Sequence, residues 1–94
     1  LIEVPKPGVE GRSRILEIHT RDMNVASDVD FADLAESLEE YSGADIAALA
    51  TEAGMFSIRD GRTEVRRQDF DDAYEKIENA EEQPTIPGHT PYQY

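Results

Sequence analysis

Four segments of the sequence carry apolar residues at the spacing of an amphipathic helix. The clearest follows Asp30, where apolar side chains recur at i, i+3, i+4, i+7 and i+10: Phe31, Leu34, Ala35, Leu38 and Tyr41. A later segment, from about Gln68 to Asn79, repeats this pattern against an acidic outer face. Four such stripes bury one another in a helical bundle, so we predict an all-α fold with four helices.

Prolines and a capping residue set the limits of the first two helices. Ile2-Glu3-Val4 reads as the end of a strand, and Pro5-Lys6-Pro7-Gly8 breaks it. A first helix is predicted from about Val9 to Arg21. Asp30 is well placed to accept hydrogen bonds from the first N–H groups of the second helix, as N-cap residues do.

A capping-box pattern predicts the start of the third helix. In Ser42-Gly43-Ala44-Asp45, the serine can cap and the aspartate three residues later can complete the pair. The helix should stop near Asp60, because Gly61 readily adopts the left-handed conformation that follows a helix. Residues 63–65 are β-prone, and we expect at most a tiny two-stranded element, formed with the segment around Val25.

The composition changes after residue 80. Glu, Gln, Pro, Gly and Thr dominate from Glu81 to Tyr94, and three prolines forbid a continuing helix. We therefore predict a helical domain over residues 1–80 and a flexible tail with an aromatic tip over residues 81–94. Because the sequence opens at Leu1 inside what reads as a strand, we expect it to be a piece of a longer chain.

Charge and cysteine content exclude several classes of partner and site. The formal net charge of −12 opposes contact with nucleic acid and with anionic membranes. The chain has no cysteine, so neither a disulfide nor a thiolate metal site can stabilise it. Its excess of acidic over basic residues, and of Arg over Lys, is typical of proteins from a high-salt cytoplasm. No apolar run is long enough to span a membrane, so we expect a cytoplasmic protein.

The residues needed for catalysis are missing from the sequence. The two histidines, His19 and His89, lie in a helix and in the tail, which favours neither a nucleophile–base pair nor a zinc site. The carboxylates lack the order of a calcium loop, and no Gly-rich loop ends in Lys-Ser or Lys-Thr to hold a triphosphate. We predict no catalytic residue, no metal and no enzymatic activity for this chain alone.

One candidate binding site remains, at His19 and Ser42-Gly43-Ala44. A helix N-terminus presents free N–H donors, and Gly43 has no Cβ to keep a ligand from that backbone, so an anion or a ribose could bind there. The alternative is an ordinary capped helix with a half-buried, hydrogen-bonded His19. Spacing alone favours the alternative, because such caps are common.

A set of short motifs occurs in consistent order over residues 1 to about 80. These motifs are Ile2-Glu3-Val4-Pro5-Lys6-Pro7, Arg12, Ile15-Leu16, His19-Thr20, Ser42-Gly43-Ala44-Asp45, Thr51-Glu52-Ala53 and Ile58-Arg59. Together they resemble the small helical lid of AAA+ ATPases. Within that family, the sequence Glu52-Ala53-Gly54-Met55, followed by Arg59-Asp60 and Arg62-Thr63, looks closest to archaeal proteasome-activating nucleotidases and eukaryotic regulatory-particle ATPases.

The resemblance implies a nucleotide site that is shared with a large domain outside this sequence. In such proteins the lid covers the adenosine end of ATP, while the large domain holds the phosphates and Mg²⁺. By position, Ile15 would pack on the adenine, His19 would contact the ribose, and Gly43 and Ala44 would lie close to the sugar and phosphates. ATP or ADP with Mg²⁺ is then expected for the longer protein and no cofactor for the isolated chain.

The resemblance also implies partners. Lids of this family pack on the next subunit of a hexameric ring that unfolds protein substrates. In the proteasomal branch, the last three residues of the tail are commonly a hydrophobic residue, then Tyr, then any residue. This tip docks on α-subunits of the proteasome core. Here Tyr92 fits, whereas Gln93 replaces the tyrosine before Tyr94. This departure puts gate opening in doubt more than docking.

Other interpretations attach the same helical domain to a different protein. The lid could belong to a valosin-like segregase or to a membrane-anchored AAA+ protease, although a peptidase domain should follow the lid in the protease. An interpretation from another class is a free-standing helical adaptor that binds proteins through its exposed faces. A phosphate loop encoded upstream of Leu1 would exclude the adaptor.

Overall fold

The computed structural model describes residues 6–82 and the side chains of residues 6–80. Four α-helices account for most of this part: α1 (Val9–His19), α2 (Phe31–Glu36), α3 (Gly43–Arg59) and α4 (Arg67–Glu82). Helix α1 packs against α2 and α3, and α3 packs against α4. The all-α prediction with four helices is confirmed. The strand expected at residues 2–4 lies outside the described residues.

Helix α1 ends two residues before its predicted limit at Arg21. Thr20, which is buried, serves as the C-cap, and its hydroxyl donates to the carbonyl oxygen of Leu16 at 2.7 Å. The chain then turns, and the N–H of Met23 donates to the carbonyl of Thr20 at 2.9 Å. The turn carries Met23 toward Gly54 on α3, where a Cβ would lie only 3.2 Å from the methionine methyl group.

Helix α2 is shorter than its apolar stripe predicted. Asp30 caps it as expected, accepting from the N–H groups of Ala32 and Asp33. Beyond Glu36, however, the chain continues through i→i−3 hydrogen bonds, including that from Leu38 to Ala35 at 3.2 Å. Leu38 and Tyr41 are nevertheless buried. The apolar stripe therefore predicted correctly which side chains are buried, but it predicted too long a helix. A tighter turn after Glu36 can present the same side chains to the core.

Helix α3 starts and stops where the sequence predicted. The side chain of Ser42 accepts from the N–H of Asp45, and the Asp45 carboxylate accepts from the N–H of Ser42, so both halves of the capping box are present. Asp60 is the C-cap, and Gly61 follows with φ of +72°. Ala50, Ala53 and Gly54 are fully or largely buried on this helix, so neighbouring helices can approach its backbone closely.

A buried ion pair connects the end of α3 to the start of α4. The guanidinium of Arg62 donates to both carboxylate oxygens of Asp69, at 2.6 and 2.7 Å, and the N–H of Arg66 donates to the same carboxylate at 2.8 Å. These bonds hold the pKa of Asp69, which is 1% exposed, below its usual value, although burial opposes the shift. The ion pair thus fixes the direction in which α4 leaves α3.

Within residues 6–82, the expected β contact is present as one parallel bridge between Val25 and Val65. The N–H of Ala26 donates to the carbonyl of Val65, and the N–H of Val65 donates to the carbonyl of Asn24, both at 2.8 Å. This contact anchors the connection between α1 and α2 to the connection between α3 and α4.

One apolar core lies between the helices. Its largest fully buried apolar side chains are Leu16, Leu34, Leu38, Ile46, Leu49 and Phe70. At its edge the rings of Tyr41 and Tyr74 stack with centroids 5.7 Å apart, and the Tyr41 hydroxyl donates to Glu78. Helix α4 begins one residue before, and ends three residues after, its predicted limits of Gln68 and Asn79. No helix within residues 6–82 is long and apolar enough to cross a bilayer.

We expect Ser42→Ala to lower the free energy of unfolding by about 1 kcal/mol, because the N–H of Asp45 loses its partner. In a domain of this size, that change lowers Tm by about 5 °C. Ser13→Ala is the matched control, since the Ser13 side chain makes no hydrogen bond within the described residues. Equal melting temperatures for Ser42→Ala and the wild type would contradict the assigned cap.

We expect Asp69→Asn to lower the free energy of unfolding at pH 7 by about 2 kcal/mol, because charge-assisted hydrogen bonds are lost. The folded-state pKa of Asp69 is depressed. Its stabilising contribution is therefore complete above the unfolded-state pKa of about 3.9 and is lost as the pH falls through the folded-state pKa. Urea unfolding at pH 7, 5 and 3 should show the difference from the wild type shrinking at the lowest pH.

The control for this series is Asp71→Asn, which removes an exposed i, i+4 pair with Arg67. Such pairs contribute only about 0.3–0.5 kcal/mol. A difference between Asp69→Asn and the wild type that does not vary with pH would show that the Asp69 charge is not what stabilises the junction.

Candidate functional site

The second half of α1 carries two of the residues that the sequence singled out. Ile15 is partly buried and packs against the edge of the core. His19, the last residue of the helix, lies one turn later, so the two side chains point to the same side of α1. His19 is exposed, and its imidazole makes no hydrogen bond within the described residues. The capped helix of the alternative interpretation is present, whereas its half-buried, hydrogen-bonded His19 is not.

The N-terminus of α3 supplies the other two residues, Gly43 and Ala44. The capping box occupies the N–H of Asp45, and the N–H of Ile46 donates to the carbonyl of Ser42 at 3.1 Å. The first two N–H groups of a helix have no partner within the helix itself. Ala44 is exposed and Gly43 is partly buried. A polar group that reached this end of α3 would meet backbone donors at the positive end of the helix dipole.

Ile15 and Gly43 lie next to each other. A Cβ atom on Gly43 would sit 3.6 Å from Cδ1 of Ile15, which is an ordinary van der Waals distance. The fold thus places an apolar side chain of α1 against a bare stretch of backbone on α3, with the exposed imidazole of His19 one turn further along α1.

Arg12 has a structural role that the sequence reasoning missed. Its side chain is buried; Nε donates to the carbonyl oxygen of Ala35, and a terminal nitrogen donates to that of Pro7, each at 2.8 Å. Arg12 thereby ties α1 to α2 and to the segment that enters the domain. The sequence offered one indication that Arg12 is buried: it lies one turn before Leu16, on the same side of α1.

The Arg62–Asp69 ion pair was also missed. The sequence analysis named Arg62 only as part of a motif that resembles the family, and it did not name Asp69. The two residues are separated by seven positions across a turn, so no helical periodicity relates them. The docking residues Tyr92, Gln93 and Tyr94 lie outside the described residues, and their role stays a prediction. Among the described residues, no group of His, Asp or Glu side chains is arranged to hold a metal ion.

A model of a protein family described as the AAA+ lid domain matches residues 28–72. The matched region includes α2, α3 and the first part of α4, and therefore contains Gly43 and Ala44. Ile15 and His19 on α1 lie before it.

Similar proteins extend the likeness to the whole chain. The chain is 69% identical, along its full length, to proteasome-activating nucleotidase 2 of Haloferax volcanii. Over 82% of the chain, identity is 68% to proteasome-activating nucleotidase 2 of Halobacterium salinarum and 56% to the proteasome-activating nucleotidase of Archaeoglobus fulgidus. The aligned regions cover 23%, 19% and 19% of these relatives, so the chain spans about a fifth of their length.

Proposed function

The chain belongs to the AAA+ lid domain family, and on that premise we propose that it is the lid of a hexameric, ATP-dependent protein unfoldase that activates the proteasome. Similarity to proteasome-activating nucleotidases of halophilic archaea supports the proteasomal branch. The lid contributes adenosine contacts, packing between subunits and a docking tail, and the longer protein acts in the cytoplasm. By this proposal, residues 1–80 form the lid and residues 81–94 form the tail.

The contact between Ile15 and Gly43 is the observation that carries the nucleotide proposal. Ile15 presents the apolar surface that an adenine ring needs, and this surface adjoins the backbone of Gly43, since a Cβ there would lie 3.6 Å from Cδ1 of Ile15. The exposed imidazole of His19 can exchange a hydrogen bond with a ribose hydroxyl. The N-terminus of α3, at Gly43 and Ala44, favours the negative charge of the phosphates.

The remaining nucleotide contacts lie outside this chain in our proposal. Phosphates and Mg²⁺ require a phosphate-binding loop and acidic ligands, which we assign to the large domain of the longer protein. The residues of the lid orient the adenosine and exclude water from it. A few such contacts do not offset the cost of immobilising a free nucleotide, so we expect negligible ATP affinity for residues 1–94 alone.

The same premise suggests how ATP hydrolysis is coupled to movement of the protein substrate. A lid that contacts both the bound nucleotide and the next subunit changes its position in the ring when the nucleotide is hydrolysed. The lid then moves as a rigid body about a hinge. The partners proposed on this basis are the neighbouring ring subunits, the α-subunits of the proteasome core and unfolded proteins that pass through the ring.

We expect His19→Ala and Gly43→Ala, each in the full-length protein, to raise the Kd for ATP about tenfold, equivalent to about 1.4 kcal/mol. The first variant removes the proposed ribose contact, and the second adds a methyl group beside the surface of Ile15 proposed for the adenine, 3.6 Å from Cδ1 of that residue. Titration with a fluorescent ATP analogue gives the Kd, and thermal unfolding checks that the fold is intact. Glu75→Gln, at an exposed position on α4, is the control. Unchanged affinity in both variants would refute the nucleotide site.

We expect a peptide of residues 84–94 to bind the proteasome core particle of the same organism, and the peptide without Tyr92, Gln93 and Tyr94 to lose that binding. An aromatic ring in a pocket and capture of a terminal carboxylate supply the affinity. A third peptide with Gln93→Tyr should bind more tightly, since it restores the common pattern. No binding by any of the three would shift the assignment toward a segregase lid.

A further inference from the structure

A groove between α3 and α4 opens to solvent beside the C-terminal half of α4. Its volume of about 590 Å³ lies within the range of about 300–1,000 Å³ that is typical of clefts that bind ligands. Phe56 supplies the largest apolar surface of the groove. The residues that line it are Phe56 on α3 and Asp72, Glu75, Lys76, Asn79 and Ala80 on α4. We call this surface the α3–α4 groove.

Two of the three charged side chains that line the α3–α4 groove are already engaged. Asp72 accepts a hydrogen bond from Gln68 at 2.9 Å, and Lys76 forms an ion pair with Glu52 at 2.9 Å. Glu75 is exposed and has no partner among residues 6–80. It would repel an acidic occupant, and a basic occupant would find only this one carboxylate. The groove therefore suits an uncharged occupant that brings an apolar side chain to Phe56.

The residues that follow α4 in the sequence have this composition. Residues 83–94 include no Asp, Glu, Lys or Arg, whereas no other uncharged run of the chain is longer than six residues. The part nearest to α4 is Pro84-Thr85-Ile86-Pro87, in which Ile86 lies between two prolines. Prolines favour an extended backbone whose carbonyl oxygens are free to accept hydrogen bonds. This segment thus offers both an apolar side chain and hydrogen-bond acceptors.

The segment is long enough for Ile86 to reach the groove. Glu82 is the last residue of α4, and the four residues from there to Ile86 span at most about 14 Å when extended. The distance back along α4 from Glu82 to Lys76 is six residues at helical rise, or about 9 Å. Ile86 can therefore lie beside the middle of the groove if the chain reverses at Gln83 and Pro84. Proline is common just after a helix, because it cannot continue the helix.

We propose that residues 84–87 bind in the α3–α4 groove of their own chain, with the side chain of Ile86 against the ring of Phe56. The side-chain amide of Asn79 is exposed and makes no hydrogen bond among residues 6–80. In the proposed arrangement it donates to a carbonyl oxygen of the bound segment.

Covalent attachment allows a weak contact to form. A segment joined to its site by a short linker has an effective concentration in the millimolar range, so a contact with a Kd on the order of 1 mM is formed in a large share of the molecules. The two prolines also restrict the unbound segment, which lowers the conformational entropy that is lost on binding.

Binding of residues 84–87 shortens the tether of the aromatic tip. Of the twelve residues after Glu82, only the seven from 88 to 94 then lie beyond the groove. Seven extended residues keep the tip within about 25 Å of the groove, which limits where Tyr92 and Tyr94 can dock. This consequence rests on the proposed function, whereas the contact between Ile86 and Phe56 does not.

The test is nuclear Overhauser spectroscopy on the complete 94-residue chain in molar KCl, with 13C-labelled Ile and Phe side chains. We expect cross-peaks between the Cδ1 methyl group of Ile86 and the ring protons of Phe56. Ile86→Ser should shift the amide resonances of Asn79 and Ala80, which line the groove. Absence of the cross-peaks, or amide resonances that do not respond to Ile86→Ser, would overturn the proposal.

Two further variants test the location of the contact. Ile18→Ser makes the same substitution at a side chain that is 43% exposed on α1, a helix that does not pack against α4, and should leave the resonances of Asn79 and Ala80 unchanged. Ala80→Gln places a longer side chain in the groove and should remove most of the intensity of the cross-peaks between Ile86 and Phe56. Full intensity in Ala80→Gln would contradict the proposed site. Circular dichroism and Tm show whether each variant is folded.

The same spectra distinguish other arrangements. Cross-peaks between labelled and unlabelled chains in a mixed sample would assign the groove to a second copy of this chain. Cross-peaks from Ile86 to Met55 or Ile58, which are exposed on α3, would place the segment on another surface. Either result would overturn the proposal. Neither affects the proposed docking on the proteasome core, because that test uses peptides without the helical domain.

Discussion

Close packing against the small-residue face of α3 is the constraint on which the rest of the structure depends. Helix α3 contacts both α1 and α4, and Ala50, Ala53 and Gly54 on it are buried with little side-chain volume. This allows Leu16 from α1 and Phe70 from α4 to join one core. In a chain this small, the buried surface is limited, so each fully buried large side chain, at about 2 kcal/mol, is a sizeable part of the net stability.

The same packing determines where charge can be tolerated. Most of the acidic side chains are exposed, where solvent and salt screen them. Asp69 is the buried exception among the described carboxylates, and it is fully compensated by Arg62 and by the N–H of Arg66. Arg12 is compensated by two carbonyls in the same way. No buried side-chain nitrogen or oxygen in the described part of the chain is left without a hydrogen-bond partner.

The sequence suggested the residues of the candidate nucleotide site but not their positions relative to one another. Gly43 follows a capping serine, and this local signal located the start of α3 correctly. His19 and Ile15 were singled out on a different helix, and nothing in the sequence gives the angle at which α1 crosses α3. The contact between Ile15 and Gly43, and the exposure of His19, follow from that crossing.

The sequence by itself determined the number of helices, the cap of α2, both ends of α3 and the bridge between Val25 and Val65. These features depend on hydrogen bonds and periodicities within a few residues, or on a short β-prone segment. The tertiary structure decided that α1 turns at Thr20, that α2 tightens after Glu36, and which cations pair with which carboxylates. Arg67 and Asp33, for example, are 34 residues apart, and their side chains meet at 2.7 Å only because the folded chain places the start of α4 within reach of α2. Such pairings depend on the relative positions of whole helices, which no local pattern specifies.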